Sequence, residues 1–169
     1  MAVAKLLILD ANVLIDYAHS ELRPLGLWVK RIGAVYVPRL LLREVEELSE
    51  ETCRSFGMEL LDPSMEQLAE SAQDRPGLSF EDRLCLVLAR DGDLTCVTND
   101  RRLRKECDLQ GVRVMWGLEI MISLVRRNNL ELDHALRIAG QIHDINPGHI
   151  TGKVLDRFRA KAKGASHQQ

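Results

Sequence analysis

A chain of 169 residues suits one compact domain, and 46% hydrophobic with 28% charged residues is ordinary for a globular core. A net charge of −2 excludes a general nucleic-acid coat, so any contact with nucleic acid must use a local basic patch. No apolar run approaches the ~18 residues of a membrane span, and the first run, closed by Asp10, is not expected to be a signal peptide. The four cysteines, Cys53, Cys85, Cys96 and Cys107, have neither C-x-x-C nor zinc spacing. They are expected to be buried free thiols in a cytoplasmic protein.

The apolar run 6–9 reads as a buried strand, and it runs straight into Asp10, Ala11 and Asn12. A carboxylate at the end of a buried strand is costly unless something there needs it. Residues 13–18 start a helix, and 21–32 form a further helical stretch interrupted by Pro24. Residues 34–37 read as a second strand, stopped by Pro38, which suits the first position of a helix over 39–51. At 100° per residue Leu40, Leu41, Val45 and Leu48 share a face, and Glu44 falls within it. Glu44 therefore reads as an inward site residue, or else as a snorkelling or mis-phased glutamate.

Residues 58–61 read as a third strand, and Ser64 caps a helix over 65–73 with Leu68, Ala69 and Ala72 inward. Ser79 and Asp82 have capping-box spacing ahead of an all-apolar, buried helix. Cap and site are equal readings of Asp82 from local sequence. Residues 94–97 read as a fourth strand that delivers Thr98, Asn99 and Asp100, repeating the opening pattern. Asp100 also suits a helix N-cap for 101–106. A fifth strand over 112–115 and a helix over 118–127 complete an alternation that predicts an α/β fold, a small parallel sheet flanked by helices. Beyond Asn129 come two helical stripes, through Leu132, Ala135, Leu136, Ala139 and Ile142, and through Val154, Leu155 and Phe158 after a Thr151 cap. Residues 1–128 are thus expected to form the sheet domain. Residues 129–169 are expected to pack on it as a helical extension whose basic tail, from Arg159, frays. The five histidines read as surface or loop residues.

Asp10, Glu44, Asp82 and Asp100 come from four elements that can all reach the carboxyl edge of the sheet. Four carboxylates so close would repel one another, and burial would raise their pKa values. A divalent cation removes both penalties, and an oxygen-only donor set suits Mg²⁺ or Mn²⁺. Such a site serves phosphoryl transfer with water as nucleophile. Thr98 and Asn12 suit holding a water, a carboxylate or a phosphate oxygen, and Arg101, Arg102 and Arg104 would supply positive charge for substrate phosphates, or else form a solvated helix surface.

LILDANVLID (7–16), VPRLLLREV (37–45), LSFEDRLCLVLA (78–89) and VTNDRRLRKEC (97–107) together resemble the PIN-domain ribonucleases, especially the toxins of VapBC-type toxin–antitoxin pairs. The resemblance spans residues 3 to about 116, roughly two thirds of the chain. It implies a PIN-like fold and Mg²⁺- or Mn²⁺-dependent endonucleolytic cleavage of RNA. It also implies Asp10, Glu44, Asp82 and Asp100 as the acids, with Thr98 and Asn12 beside the last and the first, a homodimer, and a small antitoxin partner. Three other readings remain. A haloacid-dehalogenase-type phosphatase wants a second Asp where Asn12 stands; the others are a non-catalytic PIN-fold binding module and a structure-specific DNA nuclease.

Overall fold

The computed structural model describes residues 5–167. Five strands, β1 (Leu7–Leu9), β2 (Val35–Pro38), β3 (Glu59–Leu61), β4 (Thr95–Val97) and β5 (Val114–Met115), form one sheet in the order β3-β2-β1-β4-β5. Every pairing is parallel, with Leu7, Ile8 and Leu9 of β1 opposite Thr95, Cys96 and Val97 of β4. The expected α/β architecture with a parallel sheet is therefore correct.

Side chains alternate across a strand, so β1 feeds two cores. Leu7 and Leu9 enter one core, together with Val35, Val37 and Val97. Their partners come from α1 (Ala11–His19), α2 (Arg23–Arg31), α7 (Glu119–Arg126), α8 (Leu132–Ile145) and α9 (Gly152–Ser166). Ile8 enters the other, with Cys96, against α4 (Met65–Ser71), α5 (Phe80–Asp91) and α6 (Arg101–Leu109). The remaining α3 (Glu50–Ser55) inserts Cys53 into the first core. All four cysteines are buried and free, as expected.

Several boundaries differ from expectation, each for a local reason. Pro24 lies in the first turn of α2, where a missing N–H is harmless, and so opens that helix instead of interrupting it. The expected helix over 39–51 does not exist. Arg39–Glu44 is a 3₁₀ helix, Val45 leaves helical geometry, and α3 starts afresh with Ser49 as its N-cap. In α4 the inward residues are Leu68 and Ser71, while Ala69 and Ala72 are exposed. The tail does not fray at Arg159. Phe158, Ala162 and Ala165 continue one buried stripe, and α9 holds to Ser166. Gln168 and Gln169 lie outside the described residues. His134 and His143 are half-buried on α8 rather than at the surface. Among the described residues no helix is long and apolar enough to cross a membrane.

Candidate functional site

The strand register brings the acids together. Asp10 and Thr98 each follow directly on the paired ends of β1 and β4, and the Asp10 backbone N–H donates to the Val97 carbonyl at 3.1 Å. Beyond that edge lies a crevice of about 250 Å³ lined by Asp10, Asn12, Glu44, Glu81, Asp82 and Asp100, with Ala11 and Ser79. All four sequence-selected acids and Asn12 meet there.

Three of those acids sit at helix N-termini. Asp10 Oδ1 accepts from the Val13 N–H at 2.8 Å and caps α1. Asp100 Oδ1 accepts from the Leu103 N–H at 2.8 Å and caps α6. Asp82 completes a capping box on α5: its Oδ2 accepts from the Ser79 N–H at 3.0 Å, and the Asp82 N–H donates to Ser79 Oγ at 3.1 Å. Cap and site prove compatible readings of Asp82 and Asp100, because a cap engages one carboxylate oxygen and leaves another for the crevice. The helix dipoles favour negative charge at all three positions.

Thr98 ties two of the acids together. It is fully buried, its hydroxyl donates to Asp10 Oδ2, and Thr98 Oγ1 in turn accepts from the Asp100 backbone N–H at 3.0 Å. It is therefore a positioning residue beneath the crevice and does not line it.

Burial opposes those favourable contacts. Asp10 is only 3% exposed, and burial pushes its pKa up to about 6, against the bonds from Thr98 and Val13, with Asp82 and Asp100 adding repulsion. Asp82 is raised by burial as well, with Asp100 and Glu81 contributing and the Ser79 bonds opposing. Glu44 corrects the sequence reading. It is exposed at the last residue of the 3₁₀ helix, and because Val45 leaves helical geometry it does not continue onto the face of Val45 and Leu48. Its carboxyl is nonetheless desolvated at the crevice, and burial, then the Glu81 charge and hydrogen bond, raise its pKa.

Glu81 is a crevice residue that the sequence reading passed over. Its signal was its place beside Asp82 in the first turn of α5, where an acid is ordinarily just a dipole partner. The three arginines do not line the crevice. Arg101 is exposed in the first turn of α6, and Arg102 packs along Gly77 in a neighbouring groove. Arg104 turns back on the fold, donating to the Thr98 carbonyl at 3.2 Å and lying 3.8 Å from the Trp116 ring centroid.

The donor set is all oxygen, crowded and partly desolvated, and that chemistry fits a hard divalent cation. Among the described residues no three His, Cys, Asp or Glu side chains close into a ready-made metal cage. The fit is thus to Mg²⁺ or Mn²⁺ held by one or two carboxylates with its waters retained. Asp10 and Asp100, linked through Thr98, are the residues that would hold it, and Asp82, Glu44 and Glu81 line the same crevice. Comparisons with protein-family models, with curated proteins and with solved structures give no match for this chain.

Proposed function

We propose that the protein is a divalent-metal-dependent endoribonuclease that hydrolyses RNA phosphodiester bonds with water as the nucleophile. The observation that carries this reading is the meeting of Asp10, Glu44, Asp82 and Asp100 in one crevice, two of them tied through the buried Thr98 hydroxyl. Such an arrangement costs free energy without a cation: burial, with lesser repulsion from Asp82 and Asp100, raises the pKa of Asp10. A structural role alone gives no reason to bury like charges together.

A bound Mg²⁺ or Mn²⁺ supplies an activated water and neutralises charge developing on the phosphate. The chain's own residues supply the rest. Asp10 and Asp100 would hold the ion, and Thr98 fixes both at once. Glu44, exposed at the rim and with its pKa raised by burial of its carboxyl and by the neighbouring Glu81, is placed to accept a proton from water. Asn12 offers an amide to a substrate oxygen. Ser79 is the crevice's hydroxyl, but its oxygen is committed to the α5 cap and no imidazole lines the crevice to activate it. Covalent catalysis through Ser79 is therefore not part of the reading.

The resemblance to PIN-domain toxins extends the proposal: a cytoplasmic homodimer, the toxin of a type II toxin–antitoxin pair, restrained by a small antitoxin protein. Cleavage of end-labelled RNA and DNA in parallel, with Mg²⁺ or Mn²⁺, tests the core of it. RNA should be cut by the native protein and not by Asp10→Asn or Asp100→Asn. Full activity in either folded variant would sink the proposal. Metal binding without cleavage of any RNA pool would favour a binding module, and preferential cutting of DNA a structure-specific DNA nuclease. Growth arrest on expression, relieved by a co-expressed neighbouring small gene, tests the toxin assignment.

A further inference from the structure

A further cavity lies where the segment after β5 and α7 meet α9, with Asn99, next in the chain to Asp100, in its lining. It measures about 140 Å³, and Trp116, Ile122 and Phe158 form its apolar lining while Arg157 and Lys161 of α9 stand at its rim. Pockets that enclose a whole small molecule run to ~300–1,000 Å³, so this one suits a single flat ring. Glu119 is the one acid among its lining residues, and its carboxylate accepts from the Trp116 N–H at 2.9 Å.

Trp116 is 42% exposed, whereas Trp28, the other tryptophan, is fully buried. Water-exposed indole is costly, and an indole with a guanidinium over it is an aromatic platform. Arg104 is that guanidinium, and it also holds the Thr98 carbonyl. The platform is therefore coupled through Arg104 and Thr98 to Asp10 and Asp100. Asn99, beside Asp100, reaches the same cavity and accepts from the Gly117 N–H at 3.0 Å. Charge is complementary to a polyanion: α9 carries Lys153, Arg157, Arg159, Lys161 and Lys163 against Asp156 alone. Asp156 pairs with Arg159 at 3.3 Å, while Arg157 and Lys161 are exposed.

We propose that this cavity is a nucleotide subsite for single-stranded RNA: one base stacks on Trp116 between Ile122 and Phe158, and its phosphate is held by Arg157 and Lys161. The proposal rests on the ribonuclease reading for the identity of the polymer, and it gives the C-terminal helices a part in substrate binding. A flat ring plus a basic rim is the general recipe for single-strand binding, in which stacking tolerates sequence and the cations follow the backbone. A duplex keeps its bases inside and cannot offer one to the cavity.

Tryptophan fluorescence reads the subsite directly, because buried Trp28 contributes a constant background. The probe is a mixed-sequence single-stranded RNA of about 12 nucleotides, titrated with chelator present so that no cleavage occurs. Quenching should saturate, and the same sequence as a duplex should not produce it. Arg157→Ala with Lys161→Ala, both at exposed positions that do not threaten folding, should weaken binding about tenfold and flatten its salt dependence. Read instead by the anisotropy of the same RNA carrying a terminal fluorophore, Trp116→Ala should weaken binding about 5- to 100-fold and Trp116→Phe less, since a ring remains. In metal-supported cleavage the Arg157→Ala, Lys161→Ala double variant should raise KM more than it lowers kcat.

Unchanged KM and unchanged RNA affinity in the double variant would overturn the subsite while leaving the ribonuclease reading intact. Saturable quenching in a protein that cleaves nothing would support the subsite and overturn the nuclease. Quenching by an acidic, leucine-containing peptide but not by RNA would overturn the subsite in favour of protein docking.

Discussion

At the scale of single residues, Asp10 carries a conflict between function and stability. Its pKa in the folded, metal-free chain is raised to about 6 from an ordinary 3.8. An acid raised on folding binds its proton more tightly in the native state, so its charged form costs stability above pH ~6. That cost disappears as the pH falls through 6 towards 3.8. Asp10→Asn removes the charge and keeps an oxygen for the α1 cap. With chelator at pH 8 it should be more stable than the native chain by about 1–3 kcal/mol. The gain should shrink towards pH 4, and added Mg²⁺ should favour the native chain instead. Urea titration at the two pH values, with and without Mg²⁺, measures this; a destabilised Asp10→Asn at pH 8 would show that the charge is compensated by the fold. Thr98 predicts the opposite sign. Thr98→Val keeps the shape but strips the Asp10 carboxylate and the Asp100 N–H of their shared partner. It should cost about 1–3 kcal/mol and most of the cleavage activity, and Thr98→Ser should restore both.

At the scale of elements, the site is made by helix starts. α1, α5 and α6 all begin at the crevice, and each is capped or boxed by one of its acids. Asp82→Asn should therefore affect two measurements separately: relief of the burial that raises its pKa offsets the weakened box and dipole contact, so stability should change by less than ~1 kcal/mol while cleavage falls much further. A parallel loss in thermal midpoint and activity would reduce Asp82 to a cap. Much of this was legible in the chain because β1 and β4 end in the same way, apolar residues running directly into Asp10 and into Thr98-Asn99-Asp100. Glu44 was legible as a member but not in its orientation. The α-helical period that groups Glu44 with Val45 and Leu48 does not exist in the fold, because the 3₁₀ turn ends at Glu44 and Val45 leaves helical geometry. Glu81 stayed hidden because an acid in a helix first turn has a sufficient local reason to be there. The roles of Arg102 and Arg104 depended on what lies opposite them, Gly77 and Trp116, and spacing within one helix does not report that.

At the scale of the whole molecule, the two parts expected from the sequence share one hydrophobic core. Ile138 and Ile142 of α8, Ile150, and Leu155 and Phe158 of α9 are buried in the cluster that contains Leu7, Leu9 and Trp28. Asp16 of α1, itself buried, accepts from the Asn146 side chain at 2.9 Å just beyond α8. Each of those five side chains is worth about 1.5–3 kcal/mol when buried, and a domain of this kind holds only ~5–15 kcal/mol in total. Removing residues 129–169 should therefore abolish folding, leaving no sheet unit to carry the crevice. A fragment ending at Asn128 should show no cooperative thermal transition and should expose Trp28, shifting its fluorescence to the red. A sharp transition with a blue, buried Trp28 signal would mean that the sheet and α7 close a core without α8 and α9. The C-terminal helices would then be an addition rather than a wall of the fold. If the fragment unfolds as expected, the helix that carries Arg157 and Lys161 to the Trp116 cavity is held by the same packing that holds the sheet together.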